Sequence, residues 1–151
     1  MRIFFEHIIN STYQAYKGLL RENFPNYPFF ISSSIRFGEF ELNQTWFGIT
    51  YYDTEKLDNL EIYSKTICLN ALYLPHQFGF TNPNKKYSEK YGFPSLRRTI
   101  AHEIAHCVLM DLHPILGIIH NNLHKNLTKD IENYLINNYE MQILEKMRGV
   151  Y

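Results

Sequence analysis

An α+β fold is predicted for this chain by three observations. Residues 3–21 carry Phe5, Ile8, Ile9, Tyr16, Leu19 and Leu20 at the spacing of one helical face. Four runs between residues 29 and 70 are rich in β-branched and aromatic residues and are broken by turn formers. Two further helical patterns follow them. A length of 151 residues with 45% apolar content suits one ordinary domain, so residues 1–151 are read as a single unit.

Taken in order, the first helix covers 3–21 and is ended by Pro25 and Pro28. Strands are expected at 29–37, 39–46, 47–52 and 62–70, separated by Gly38, Gly48 and a polar turn over 53–59, which makes a small, mainly antiparallel sheet. Residues 75–94 read as a loop because Gly79, Asn82, Pro83, Asn84 and Gly92 punctuate them. Some twenty residues without regular structure suggest an insertion at the border of a cleft, with His76 structural within it. A helix follows Pro94 and Ser95, the latter its N-cap, with Ile100, Ile104, Val108 and Leu109 in helical register. Pro114 disfavours helix at His113 and marks its end. Residues 114–119 are long enough to turn back, with Gly117 available for a positive φ. The last helix, 128–147, carries Ile131, Leu135, Tyr139, Ile143 and Leu144 after a Thr128 cap.

The chemistry concentrates in the middle helix. His102, Glu103 and His106 form H-E-x-x-H. Imidazoles four residues apart share one helical face, so both reach one Zn²⁺ while Glu103 addresses the open coordination position. Three protein ligands leave room for a water whose pKa zinc lowers to about 7, and Glu103 would act as its general base in hydrolysis of a peptide carbonyl. Seven histidines make a chance match conceivable, but the apolar spacing around the trio argues for an active-site helix. The third ligand must come from elsewhere. His113 lies seven residues past His106, about 10 Å along a continuing helix, and needs the helix to end first. His120, delivered by the returning segment, is preferred, with His124, His113 or a downstream carboxylate such as Glu132 in reserve. The glycine and third histidine of the metzincin pattern are replaced by Leu109 and Leu112.

Ile67-Cys68-Leu69-Asn70, then the run Leu96 to His106, then His120 together resemble the SprT-like (Spartan-like) zincin metalloprotease domain over most of the chain. The resemblance implies a zincin-like architecture: an N-terminal helix, a small antiparallel sheet ending in an L-N strand, the H-E-x-x-H helix and a C-terminal helix. It implies zinc on His102, His106 and a third histidine, with Glu103 catalytic. Asn121 and His124 stand where that family usually has glycine and phenylalanine. The zinc ribbon that often follows the protease domain would need four thiolates, and Cys68 and Cys107 are the only cysteines. The resemblance also implies action on proteins bound or crosslinked to DNA. A general processing peptidase is an equal expectation, and a zinc-containing binding protein without peptidase activity is the alternative from another class.

Fifteen basic and fifteen acidic residues give no net charge, so a global attraction for phosphate is absent. Lys85, Lys86, Lys90, Arg97 and Arg98, interleaved with Tyr87 and Tyr91, form the one basic cluster, read as a solvated loop or a cleft edge. Two separated cysteines supply no disulfide framework. The apolar residues between 3 and 9 are interrupted by Glu6 and His7 and lack a following small-residue cleavage site, so neither a signal peptide nor a membrane span is expected, and cytoplasmic residence is the default. The expected partner is a protein or peptide substrate, held as an added strand on a sheet edge within 47–52 or 62–70. Tyrosines of that region, or Tyr87 and Tyr91, are candidates to stabilise an oxyanion.

Overall fold

A computed structural model describes residues 2–23, 33–40, 47–58, 60–70, 93–112 and 114–148. Within them the elements are α1 (Arg2–Asn23), β1 (Ser33–Phe40), β2 (Gly48–Leu57), β3 (Leu60–Asn70), α2 (Phe93–Leu112), α3 (Pro114–Ile118) and α4 (Asn122–Arg148). The molecule is thus α+β. Pro25, Pro28, the start of the 29–37 strand, the end of the 39–46 strand and the expected loop as far as residue 92, with His76, Tyr87 and Tyr91, lie outside the described residues.

The sheet has the order β1-β3-β2. β2 and β3 form the expected antiparallel hairpin, from Leu57↔Leu60 to Gly48↔Leu69. The strand does not stop at Tyr52 as the polar residues after it suggest. It continues to Leu57, because an edge strand tolerates charged side chains. The pairing runs on to Leu57↔Leu60, and Asp58, just after β2, adopts a φ of 49°, the left-handed conformation that tight hairpins demand and Asp tolerates. β1 pairs with the opposite edge of β3 in parallel, from Ser33↔Tyr63 to Phe40↔Asn70, so the sheet is mixed. Gly38, read as a break between strands, lies inside β1 opposite Cys68.

Phe5, Ile8, Ile9 and Tyr13 of α1 are buried at helical spacing, and Ile67 and Leu69 of β3 are buried at strand alternation. From Ile100 onward α2 is buried on nearly every side: Ile100, Ala101 and every residue from Glu103 to Leu112 are shielded from solvent. It packs against α1, α3, α4 and the β2–β3 hairpin, which makes it the axis of the core. Pro94 sits in its first turn, where a missing N–H costs nothing, instead of stopping the chain ahead of it. Pro114 opens α3, which reverses the chain after α2.

Between α1, β3 and α2 lies a charged cluster with no solvent exposure. Lys65 Nζ lies 2.6 Å from Asp111 Oδ1 and donates to Tyr13 Oη at 2.8 Å, while the Tyr13 hydroxyl donates to Asp111 Oδ2. Lys65 occupies an inward position of β3, in line with Ile67 and Leu69, so it is buried by register and held there by its partners.

α4 begins six residues before the expected start. Asn121 is its N-cap: the side-chain oxygen accepts the His124 N–H at 3.0 Å, and the Asn121 carbonyl accepts the Lys125 N–H at 3.0 Å. Thr128 is therefore not the cap. Its hydroxyl donates to the His124 carbonyl one turn back, at 2.8 Å, a bond that keeps a buried threonine satisfied within a helix.

Candidate metal centre

His102 and His106 project from successive turns of α2 with ring centroids 4.7 Å apart. His120 comes from the three irregular residues between α3 and α4 and meets them from outside the helix. The Nε2 atoms of the three rings form a nearly equilateral triangle: 3.1 Å between His102 and His106, and 3.2 Å from His120 to each. Three donors on a tetrahedral ion at 2.0–2.1 Å are separated by about 3.3 Å, so this triangle fits one metal ion.

The orientation of His106 is fixed. Its Nδ1 lies 2.8 Å from the Gly117 carbonyl, which only accepts, so Nδ1 carries the proton and the Nε2 lone pair faces the triangle. Gly117 reaches this place through close approach. A Cβ there would lie 2.7 Å from Met110 Cβ, and its φ is not in the left-handed range expected of it. Burial, followed by repulsion from His124 and His120, lowers the pKa of His102 to about 4. Burial, with repulsion from the neighbouring rings and some relief from the Gly117 carbonyl, lowers that of His106 to about 3. Both rings are neutral at pH 7, the state that ligates metal.

Glu103, one residue on from His102 and 4% exposed, turns toward β2, where the Thr50 hydroxyl donates to its Oε2. Burial raises its pKa to about 7, against the opposing hydrogen bond from Thr50. Gly48 makes this approach possible, since a Cβ there would lie 2.9 Å from Thr99 Cγ2 and 3.4 Å from Glu103 Cγ. The three histidines and Glu103 line a cleft of about 300 Å³, with Gly48, Ile49 and Thr50 of β2 on one side and Met110, Gly117 and Ile118 on the other. Neither Tyr51 nor Tyr52 lines it; both are exposed.

His124 joins the cluster differently. It is buried, its ring stacks on His106 with centroids 4.1 Å apart, and its Nε2 lies 3.1 Å from the His102 carbonyl. The donor atoms of His102, His106 and His124 lie within 4.8 Å of one another, a second group of three histidines able to hold a metal ion. The Nε2 triangle with His120 is the tighter set, and the contact of His124 Nε2 with a carbonyl leaves Nδ1 as its lone-pair nitrogen. His113 lies outside the described residues. Glu132 is drawn elsewhere: Arg97 binds it at 3.1 Å and Glu140 at 2.7 Å, tying the start of α2 to α4. Of the basic cluster, Lys85, Lys86 and Lys90 lie outside the described residues, Arg97 is held in those ion pairs, and Arg98 is 67% exposed.

Sequence reasoning missed Thr50, Gly48 as a close-contact residue, and the Gly117 carbonyl. Thr50 is 53 positions from Glu103, and no local pattern connects them. Comparison with protein-family models, with curated proteins and with solved structures gives no match. Among the described residues no helix is long and apolar enough to cross a membrane.

Proposed function

We propose that this chain is a zinc-dependent endopeptidase of zincin-like architecture, resembling the SprT-like domain, with zinc on His102, His106 and His120 and Glu103 as general base. The observation that carries the reading is the triangle of three Nε2 atoms at 3.1–3.2 Å with a buried carboxylate in the same cleft. A zinc ion held there would supply Lewis acidity and draw a nucleophile from water near neutral pH. Glu103, with a pKa near 7, is matched to taking a proton from the attacking water and returning it to the leaving amine. Thr50 holds one carboxylate oxygen and so sets the direction in which the other points. Met110 and Ile118 add apolar wall beside the histidines. β2 is an edge strand of the described sheet and contributes Gly48, Ile49 and Thr50 to the cleft, so an extended peptide would bind along it through main-chain hydrogen bonds, with little dependence on its sequence.

The test joins metal analysis to cleavage of an unfolded protein such as casein. The expected result is one zinc per chain, with Glu103→Gln retaining the metal and losing activity by about 10²–10⁴-fold. Full activity in zinc-loaded Glu103→Gln would overturn the mechanism. One zinc per chain without cleavage of any protein would favour a binding protein on the same scaffold. Stimulation by DNA of cleavage of a DNA-bound protein would identify the substrate class as DNA-associated proteins.

A further inference from the structure

His120 is the weakly supported member of the triangle. It is exposed and lies in the irregular residues between α3 and α4, whereas His102 and His106 are built into the most buried helix of the molecule. Holding its nitrogen at 3.2 Å from the other two requires that the start of α4 be fixed against α2.

His124 supplies that connection. Its backbone N–H is bound by the Asn121 side chain at 3.0 Å, and its carbonyl accepts from Thr128 at 2.8 Å, so its place in the first turn of α4 is set. Its side chain, 3% exposed, crosses to α2. Nε2 donates to the His102 carbonyl at 3.1 Å, and the ring stacks on His106 at 4.1 Å and meets His102 edge-on at 4.4 Å. One side chain therefore touches both helical histidines and belongs to the cap that immediately follows His120.

We infer that His124 is a positioning residue for the metal centre: it locks the capped start of α4 to α2, and thereby holds the His120 nitrogen at ligating distance without itself being a ligand. This rests on the zinc reading above. A carbonyl has no proton to give, so the contact at Nε2 requires that nitrogen to keep its own and leaves only Nδ1 with a lone pair; the donor atoms of His102, His106 and His124 lie within 4.8 Å of one another, against 3.2 Å or less for the triangle with His120, so the tighter set omits His124. The partners of ligating histidines typically influence metal affinity by 10–100-fold, less than removal of a ligand.

Zinc affinity, measured by competition with a chromophoric chelator, and the unfolding temperature of the metal-free protein separate the possibilities. His124→Phe keeps a flat ring and removes the donor, whereas His124→Gln keeps an N–H at similar reach. The expected results are zinc binding weakened about tenfold or more in His124→Phe, near wild-type affinity in His124→Gln, and a much larger loss in His120→Ala, at comparable metal-free unfolding temperatures for the folded variants. Unchanged affinity in His124→Phe overturns the inference and leaves the zinc reading intact. So does the reverse ranking, in which replacing His124 abolishes binding and replacing His120 does not, since His124 would then be the ligand. If His124→Phe does not fold, His124→Gln decides: retention of affinity supports the role, and a loss as large as that of His120→Ala overturns it. A wild-type protein that takes up no zinc removes both readings together.

Discussion

Glu103 is a carboxylate that the fold holds at a cost, and that cost can be measured. Its pKa rises from 4.5 to about 7 because burial disfavours the charge, so its contribution to stability is favourable below pH 4.5 and is lost as pH rises through 7. His102 and His106 act in the opposite direction. With pKa values lowered from 6.5 to about 4 and about 3, they contribute stability above pH 6.5 that is lost on acidification toward those values. In metal-free protein the two trends partly cancel between pH 4.5 and 6.5. Glu103→Gln removes one of them: the variant should be more stable than wild type at pH 8, by up to about 3 kcal/mol, with the difference vanishing near pH 4. Urea unfolding at pH 4, 6 and 8 with chelator present checks this, and equal stability at pH 8 would contradict the buried-carboxylate account. The juxtaposition of His102, Glu103 and His106 was legible in the sequence, because a four-residue interval on a helix sets geometry without tertiary information. Thr50 was not, because its meeting with Glu103 depends on how β2 docks on α2.

At the scale of elements, α1, β3 and α2 are cross-tied by Tyr13, Lys65 and Asp111. Lys65→Met would leave Asp111 buried without its cation and should destabilise the protein by about 3–5 kcal/mol, whereas Lys65→Met with Asp111→Leu should recover most of the loss. Denaturant titration of the three proteins gives both numbers; a double variant no better than the single one would show that the ion pair contributes net stability. Nothing local announced this cluster, since Lys65 reads as an ordinary strand lysine until its register with Ile67 and Leu69 is known. The helices were legible to within a few residues where apolar periodicity is strong, as in α1 and α2. α4 was entered six residues late, because Asn121 caps a first turn whose side chains, Leu123 among them, are largely exposed and carry no apolar periodicity. The parallel pairing of β1 was hidden for a different reason: strand partners are chosen by long-range packing, not by the strands' own composition.

For the whole molecule, an ion held by the three histidines would be one of several ties between α2 and the start of α4. Arg97 binds Glu132 and Glu140, and Ile100, Ile104, Ile131 and Leu135 share the core. Chelation should therefore loosen the junction that carries His120 without unfolding the protein. Hydrogen exchange is expected to accelerate at residues 114–124 on metal removal while the amides of α2 stay protected. Global exchange would mean that metal, not the core, holds the two helices together.

The three converging nitrogens come from a stretch in which the largest separation is 18 residues. Closing so short a ring demands little chain entropy, which grows only with the logarithm of its length. The histidine triangle is accordingly drawn from one short segment of chain, from the third turn of α2 to the irregular residues that precede α4. The distant strand contributes Thr50 beside the Glu103 carboxylate instead, so the cluster of imidazoles and the surroundings of the carboxylate are built by separate parts of one small protein.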